Sequence, residues 1–242
     1  MQISGVFLLL ALLAEIVGTI GGFGSSVFFV PIANFYFDFH SVLGLTAIFH
    51  LSSNISKIVL FKKGLDKRLL LWIGVPSVVF VIAGGFITQY LDSGWLEIAL
   101  GIFLVGLSLL FLLRKNLVIK AGNKEALIGG SLSGFTAGLL GTGGAVRGLT
   151  MAAFNLEKSV FISTSAFIDF MVDLSRTVVY VQQGFVHGHD LKYVPFLFAI
   201  GLFGTYLGKR LLNHIPQERF KRISLLLILL IGCVTLGKVL IG

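Results

Sequence analysis

The sequence predicts an all-α polytopic membrane protein built from two inverted-topology repeats of about five helical segments each. The prediction rests on an apolar composition, on ten hydrophobic stretches, and on glycine and polar patterns that recur in both halves. Of the 242 residues, 56% are hydrophobic and only 12% are charged, whereas soluble domains contain about 25% charged residues. This composition excludes a water-soluble globule and a disordered chain.

Ten hydrophobic stretches lie between polar breaks: 3–21, 24–37, 42–61, 69–90, 95–113, 125–141, 144–156, 159–181, 190–208 and 220–241. A membrane crossing takes about 20 apolar residues, so 24–37 and 144–156 are too short to cross comfortably. Each of these two follows a glycine cluster, GTIGGFG at 18–24 and GLLGTGG at 138–144. The pattern favours broken or re-entrant helices, and the sequence leaves open whether they cross fully.

Basic residues collect in three connecting loops, 62–68, 114–124 and 209–222. The positive-inside rule places these loops in the cytoplasm, and the loops near 91–97 and 182–192 outside. Both chain termini then lie outside. A retained first helix is expected, because the stretch after Met1 has neither a basic region nor an A-x-A site. The basic side chains are Lys62, Lys63, Lys67, Arg68, Arg114, Lys115, Lys120, Lys124, Lys209, Arg210, Arg219, Lys221 and Arg222.

Glycines of the two halves align at an offset of 120 residues. The loop assignment starts the first half outside and the second half inside, so the halves form an inverted repeat of the kind found in many secondary transporters. This predicts a first repeat at 1–113, a cytoplasmic linker at 114–124 and a second repeat at 125–242. The aligned glycines are Gly18, Gly21, Gly24, Gly64 and Gly84 with Gly138, Gly141, Gly144, Gly184 and Gly204.

A stripe of polar residues runs along the third segment of each half, at spacings i, i+4, i+8 and i+11 that share one helix face. Ionisable groups in hydrocarbon are costly unless they face a bundle interior or water, so the paired stripes predict a shared polar pathway. The substrate-binding candidates are Thr46, Asn54, Ser165 and Arg176. The coupling or gating candidates are His50, Lys57, Asp169 and Asp173.

Three structural interpretations of this stripe stay open. Asp173 and Arg176 could simply neutralise each other across one helical turn. Lys57 could extend its side chain to the nearby loop. His50 could be a packing residue.

The glycine clusters supply the other part of the predicted site. A helix that restarts after GTGGAVRG presents unpaired N–H groups and its positive dipole end to the membrane interior, which suits anions. Arg147, one turn into this helix, adds a forked charge suited to oxyanions. The remaining substrate-binding candidates are Thr142, Gly143, Gly144, Gly24, Ser25 and Ser26. The alternative is close helix packing through small residues.

Three segments, GGFGSSVFFVPI, GLLGTGGAVRGLTMAAFN and FISTSAFIDFMVDLSRTVVYVQQG, make the chain resemble the TauE/SafE-type family of sulfite and sulfonate exporters, the TSUP anion permeases. The chain is similar to the branch with an arginine after the second glycine cluster, here Arg147, and an Asp-x-x-Arg on the next helix, here Asp173 and Arg176. Pro31 follows the first cluster, whereas Met151 replaces the corresponding proline in the second half. The resemblance implies an integral protein of a prokaryotic inner (plasma) membrane.

The predicted function is secondary transport of a small sulfur-containing oxyanion, such as sulfite or an organosulfonate, by alternating access at the repeat interface. The expected partners are this anion, a proton or sodium ion as coupling ion, and the lipid bilayer, but not nucleic acid; a homo-oligomer is left open. The alternatives are a passive anion channel, a non-transporting scaffold, and an intramembrane hydrolase using Ser25 or Ser26 with His50 as base. No enzymatic role, cofactor or metal site is predicted.

Overall fold

The computed structural model describes residues 4–21, 24–61, 64–114, 119–212 and 217–241. In these ranges the chain forms ten helical segments and no strand, so the predicted all-α fold class is confirmed. The first half contains α1 (Gly5–Gly21), α2 (Ser26–Ala33), α3 (Phe39–Leu60), α4 (Lys67–Thr88) and α5 (Ser93–Leu113). The second half contains α6 (Asn123–Leu140), α7 (Gly144–Ala152), α8 (Lys158–Gln182), α9 (Leu191–Leu212) and α10 (Gln217–Ile241).

Within the described ranges, five helices are long and apolar enough to cross a membrane: α3, α4, α5, α9 and the part of α10 at Arg222–Val239. The stretch Gly5–Ile20 of α1 is a shorter apolar helix. Large apolar side chains such as Val79, Phe86 and Leu230 lie exposed on the outside of the bundle. Such a surface suits lipid and not water, and the chain is an integral membrane protein.

The helices α2 and α7 are each too short to cross a membrane alone. With eight residues in α2 and nine in α7, they reach about 12 and 14 Å, less than half of the roughly 30 Å hydrocarbon core. The turns that precede them use a left-handed backbone at Gly24 (φ +82°) and Gly141 (φ +73°), which glycine adopts without steric cost.

Helices α4 and α6 pack with their backbones in direct contact. The glycines Gly130, Gly134 and Gly138 recur every fourth residue, on one face of α6. A Cβ added at Gly134 would overlap the carbonyl oxygen of Ser77, and one at Gly138 would overlap that of Val81. The hydroxyl of Ser77 donates to the Gly130 carbonyl at 3.0 Å and so joins the two helices.

Helix contacts recur when each helix is exchanged for the one at the same position in the other half: α1 with α6, α2 with α7, α3 with α8, α4 with α9 and α5 with α10. As α4 packs on α6, so α9 packs on α1; as α1 packs on α2, so α6 packs on α7. Helix α3 packs on α8 and α5 packs on α10, pairs that this exchange maps onto themselves. Two similar halves related by a two-fold axis produce such a pattern. It supports the predicted repeat, whose inverted orientation stays a prediction.

The described parts of the three basic loops lie at one end of the bundle. Lys209 Nζ donates to the Leu60 carbonyl at 2.8 Å, and the guanidinium of Arg68 donates twice to Asn123 Oδ1, at 2.7 and 2.9 Å. That this end faces the cytoplasm stays a prediction. Outside the described residues lie Gly22, Phe23, Lys62, Lys63 and Lys115, and the structure does not describe the side chains of Arg219 and Lys221.

Candidate functional site

A small cavity of about 50 Å³ lies where the two short helices α2 and α7 begin. Its volume suits a few water molecules or one small anion. Both halves of the chain contribute to its wall, so it lies at their junction. The lining residues are Gly18, Thr19, Gly24, Lys57, Arg147, Phe161, Ile162, Ser165, Ala166 and Asp169.

Arg147 lies in the wall of this cavity with only 2% of its surface exposed. Its Nε donates to Ser165 Oγ at 3.1 Å, and its Nη2 donates to a carboxylate oxygen of Asp169. The Asp169 side chain is 24% exposed and lines the cavity. A carboxylate therefore occupies the place beside the guanidinium that an oxyanion could take.

Lys57 contributes the second cation of the cavity. Its Nζ lies 3.2 Å from Glu15 Oε1 and donates to Ser53 Oγ at 2.7 Å. Glu15 is fully buried in α1, and the sequence analysis did not single it out. Its carboxylate accepts hydrogen bonds from four hydroxyls: Thr19 (3.0 Å), Ser25 (2.5 Å), Ser53 (2.5 Å) and Thr205 (2.9 Å).

The starts of α2 and α7 meet beside the cavity, as their glycine clusters predicted. Ser26 Oγ donates to Thr142 Oγ1 at 3.2 Å. A Cβ placed on Gly24 would lie 3.7 Å from the Cα of Gly144, which is ordinary van der Waals contact. The N-cap residue of α2, Ser25, makes no side-chain hydrogen bond to its helix, and the N-cap residue of α7 is Gly143, which has no side chain. No N-cap side chain therefore occupies the positive ends of these two helices.

Arg176, Asp173 and Asn54 form a cluster outside the cavity lining. Arg176 Nε donates to Asp173 Oδ1 at 2.8 Å, and its Nη1 donates to the carbonyls of Ala137 (3.2 Å) and Gly141 (2.9 Å) at the end of α6. Asn54 Nδ2 donates to Asp173 Oδ2 at 2.7 Å, which joins α3 to α8. These contacts favour the structural interpretation of the Asp173–Arg176 pair.

Thr46 and His50 also lie away from the cavity. Thr46 Oγ1 donates to the Val42 carbonyl of its own helix at 2.6 Å. His50 Nε2 lies 3.3 Å from Ser25 Oγ, but Ser25 donates its single proton to Glu15. In a hydrolytic triad the histidine accepts the serine proton and the acid orients the histidine. Here the acid contacts the hydroxyl instead, so the arrangement does not favour the hydrolase alternative.

The fold and the site together define a polytopic membrane protein with a charged cavity between its two halves. The family model described as "Sulfite exporter TauE/SafE" matches residues 7–235, and the chain belongs to this family. The match covers nearly the whole chain, so the resemblance noted in the sequence is confirmed. No curated protein and no solved structure matches the chain. Membership of this family implies a membrane permease of the sulfite-exporter type.

Proposed function

We propose that the protein is a secondary transporter that moves a small sulfur-containing oxyanion, sulfite or an organosulfonate, by alternating access. The cavity lined by Arg147 and Lys57 carries the proposal, because it combines two cations with the uncapped starts of α2 and α7. Guanidinium groups and helix N-termini both suit tetrahedral or pyramidal oxyanions. The two halves would rock about this cavity and expose it to each side in turn.

The proposed binding step exchanges one anionic group for another at Arg147. An incoming oxyanion replaces the Asp169 carboxylate at Nη2, while Ser165 keeps its contact with Nε. The displaced carboxylate then lies beside a bound anion without its cation, and a coupling proton taken up there would neutralise its charge. Anion binding and proton uptake at Asp169 are coupled in this way.

The test is counterflow of radiolabelled sulfite in proteoliposomes. We expect Arg147→Gln to weaken apparent affinity about ten- to a hundredfold, because hydrogen bonds to charged groups contribute about 1.5 to 3 kcal/mol. Arg68→Gln removes an equal charge at the loop end of α4, outside the cavity lining, and should leave counterflow unchanged. Unaltered rate and affinity in Arg147→Gln would refute the assignment.

The same assay, run with a labelled sulfonate whose charge is constant over the neutral range, tests the coupling. Wild-type uptake should increase as the pH falls, and Asp169→Asn should lose this dependence. Asp92→Asn, a substitution at an exposed position before α5, is the matched control. A passive channel would show no counterflow accumulation in any of these proteins.

A further inference from the structure

The loop that joins α8 to α9 brings together three side chains of types that bind metal ions. His187, His189 and Asp190 each offer one ligand atom, and these atoms all lie within 4.8 Å of one another. No metal site was predicted from the sequence. We propose that these three residues bind a divalent first-row transition metal ion of the Zn²⁺ and Ni²⁺ type.

Asp190 provides the buried part of the site. The residue is fully buried, and its Oδ2 accepts hydrogen bonds from Ser41 Oγ at 2.9 Å and from the backbone N–H of His187 at 3.2 Å. Its Oδ1 is also buried, yet it accepts no hydrogen bond from any described residue. A buried carboxylate oxygen without a donor is costly. A cation bound at Oδ1 removes this cost.

The two histidines direct ring nitrogens toward the same carboxylate. His187 Nδ1 lies 3.4 Å from Asp190 Oδ2, and His189 Nε2 lies 3.2 Å from Oδ1. The imidazole rings stack with centroids 5.3 Å apart. The His187 and His189 side chains are 44% and 64% exposed, so an ion can reach them from solvent.

The donor set selects the class of ion. Two imidazole nitrogens and one carboxylate suit Zn²⁺, Co²⁺ or Ni²⁺, with water completing the coordination. Calcium and magnesium prefer sites made of oxygen atoms alone. The probes of choice are therefore Zn²⁺ and Ni²⁺, with Mg²⁺ as the negative control.

Ser41 orients the site and joins it to the first half of the chain. Its hydroxyl lies in the first turn of α3, 2.8 Å from His187 Nδ1 and 2.9 Å from Asp190 Oδ2. Metal-ligating carboxylates are usually held by such outer hydrogen bonds. When Nδ1 binds the ion, the Ser41 hydroxyl still donates its hydrogen bond to Asp190 Oδ2. The bound ion thus ties the α8–α9 loop to the start of α3.

The test is isothermal titration of the detergent-solubilised full chain, purified without a histidine tag and freed of metal with a chelator. We expect Zn²⁺ and Ni²⁺ to bind with one-to-one stoichiometry and to raise the melting temperature by mass action. Mg²⁺ should do neither. His187→Ala and His189→Ala should each weaken Zn²⁺ binding at least tenfold, and both positions are exposed enough to tolerate alanine.

His40→Ala is the matched control. This histidine packs against Phe185 of the same loop with ring centroids 4.4 Å apart, but it is not part of the cluster. It should keep wild-type Zn²⁺ affinity. Absence of Zn²⁺ binding to the wild type, or equal binding by His189→Ala, overturns the proposal. Neither result bears on anion counterflow, so the two proposals fail separately.

Discussion

Three acidic side chains in the described part of the helix bundle are each paired with a basic side chain. A buried charge is tolerated in a protein when it is paired and its other hydrogen-bonding positions are occupied. Glu15 meets both conditions, since an ammonium group and four hydroxyls surround its carboxylate. The pairs are Glu15 with Lys57, Asp169 with Arg147, and Asp173 with Arg176.

Glu15→Gln should strongly destabilise the protein, because it leaves the Lys57 ammonium without its counter-charge. Removing one partner of a buried pair costs about 3 to 5 kcal/mol. Glu97→Gln breaks the more exposed pair with Lys238, and such pairs contribute about 1 kcal/mol or less. Thermal unfolding in detergent checks both. A melting temperature for Glu15→Gln as high as that of Glu97→Gln would contradict this account.

Several of the residues that line the cavity were singled out from the sequence. Ionisable and hydroxyl residues at helical spacing on the third segments predicted Lys57, Ser165 and Asp169, and the glycine cluster predicted Arg147; all four line the cavity. Glu15 was missed although it is the single charged residue in stretch 3–21, a signal that points to function by default.

The partners of each polar side chain could not be predicted from the sequence. Arg176 belongs to the same helical stripe as the cavity residues Ser165 and Asp169, yet it binds the carbonyls at the end of α6. Helical spacing fixes the face on which a side chain lies. The neighbour that it meets there depends on how the helices pack.

At the level of helices, the contact between α4 and α6 depends on the absence of side chains. Gly134→Ala should destabilise the protein by about 1 to 3 kcal/mol, because the added methyl group overlaps the Ser77 carbonyl and forces the helices apart. Gly106 lies in α5 with no atom within 4 Å of an added Cβ. Gly106→Ala is therefore a matched control, and it should be neutral or stabilising because alanine favours helix.

Thermal unfolding and size-exclusion profiles in the same detergent distinguish these variants. Equal melting temperatures for Gly134→Ala and wild type would mean that α4 and α6 do not touch as described.

Hydropathy predicted where the helices lie, but it did not predict some of the helix ends or one irregular helical turn. The predicted stretch 24–37 covers both α2 and the turn that follows it. Phe35 and Phe37 in that turn are apolar, so hydropathy does not mark where the helix ends. In α4, residues Leu70–Gly74 adopt a π conformation just before Pro76. Pro76 has no N–H to bond the carbonyl four residues earlier, that of Trp72, which lies within the π segment. Hydropathy carries no information about this local geometry.

At the level of the whole molecule, the orientation in the membrane can be tested with single cysteines. In a Cys233→Ser background, Asp92→Cys should react with a membrane-impermeant maleimide in intact cells. Ala121→Cys should react only after permeabilisation, because its basic loop is predicted to face the cytoplasm. Both positions are exposed in the structure. The reverse order of labelling would overturn the predicted orientation.

The paired charges around the cavity also bear on how the transporter responds to the membrane potential. Moving one elementary charge across 100 mV takes about 2.3 kcal/mol. Arg147 with Asp169, and Lys57 with Glu15, leave the unloaded cavity close to electrically neutral. In the alternating-access cycle that we propose, reorientation of the empty protein would then move little charge through the field. Voltage would act mainly on the loaded protein, so the charge of the bound anion and of any proton taken up with it would set the electrogenicity of the cycle.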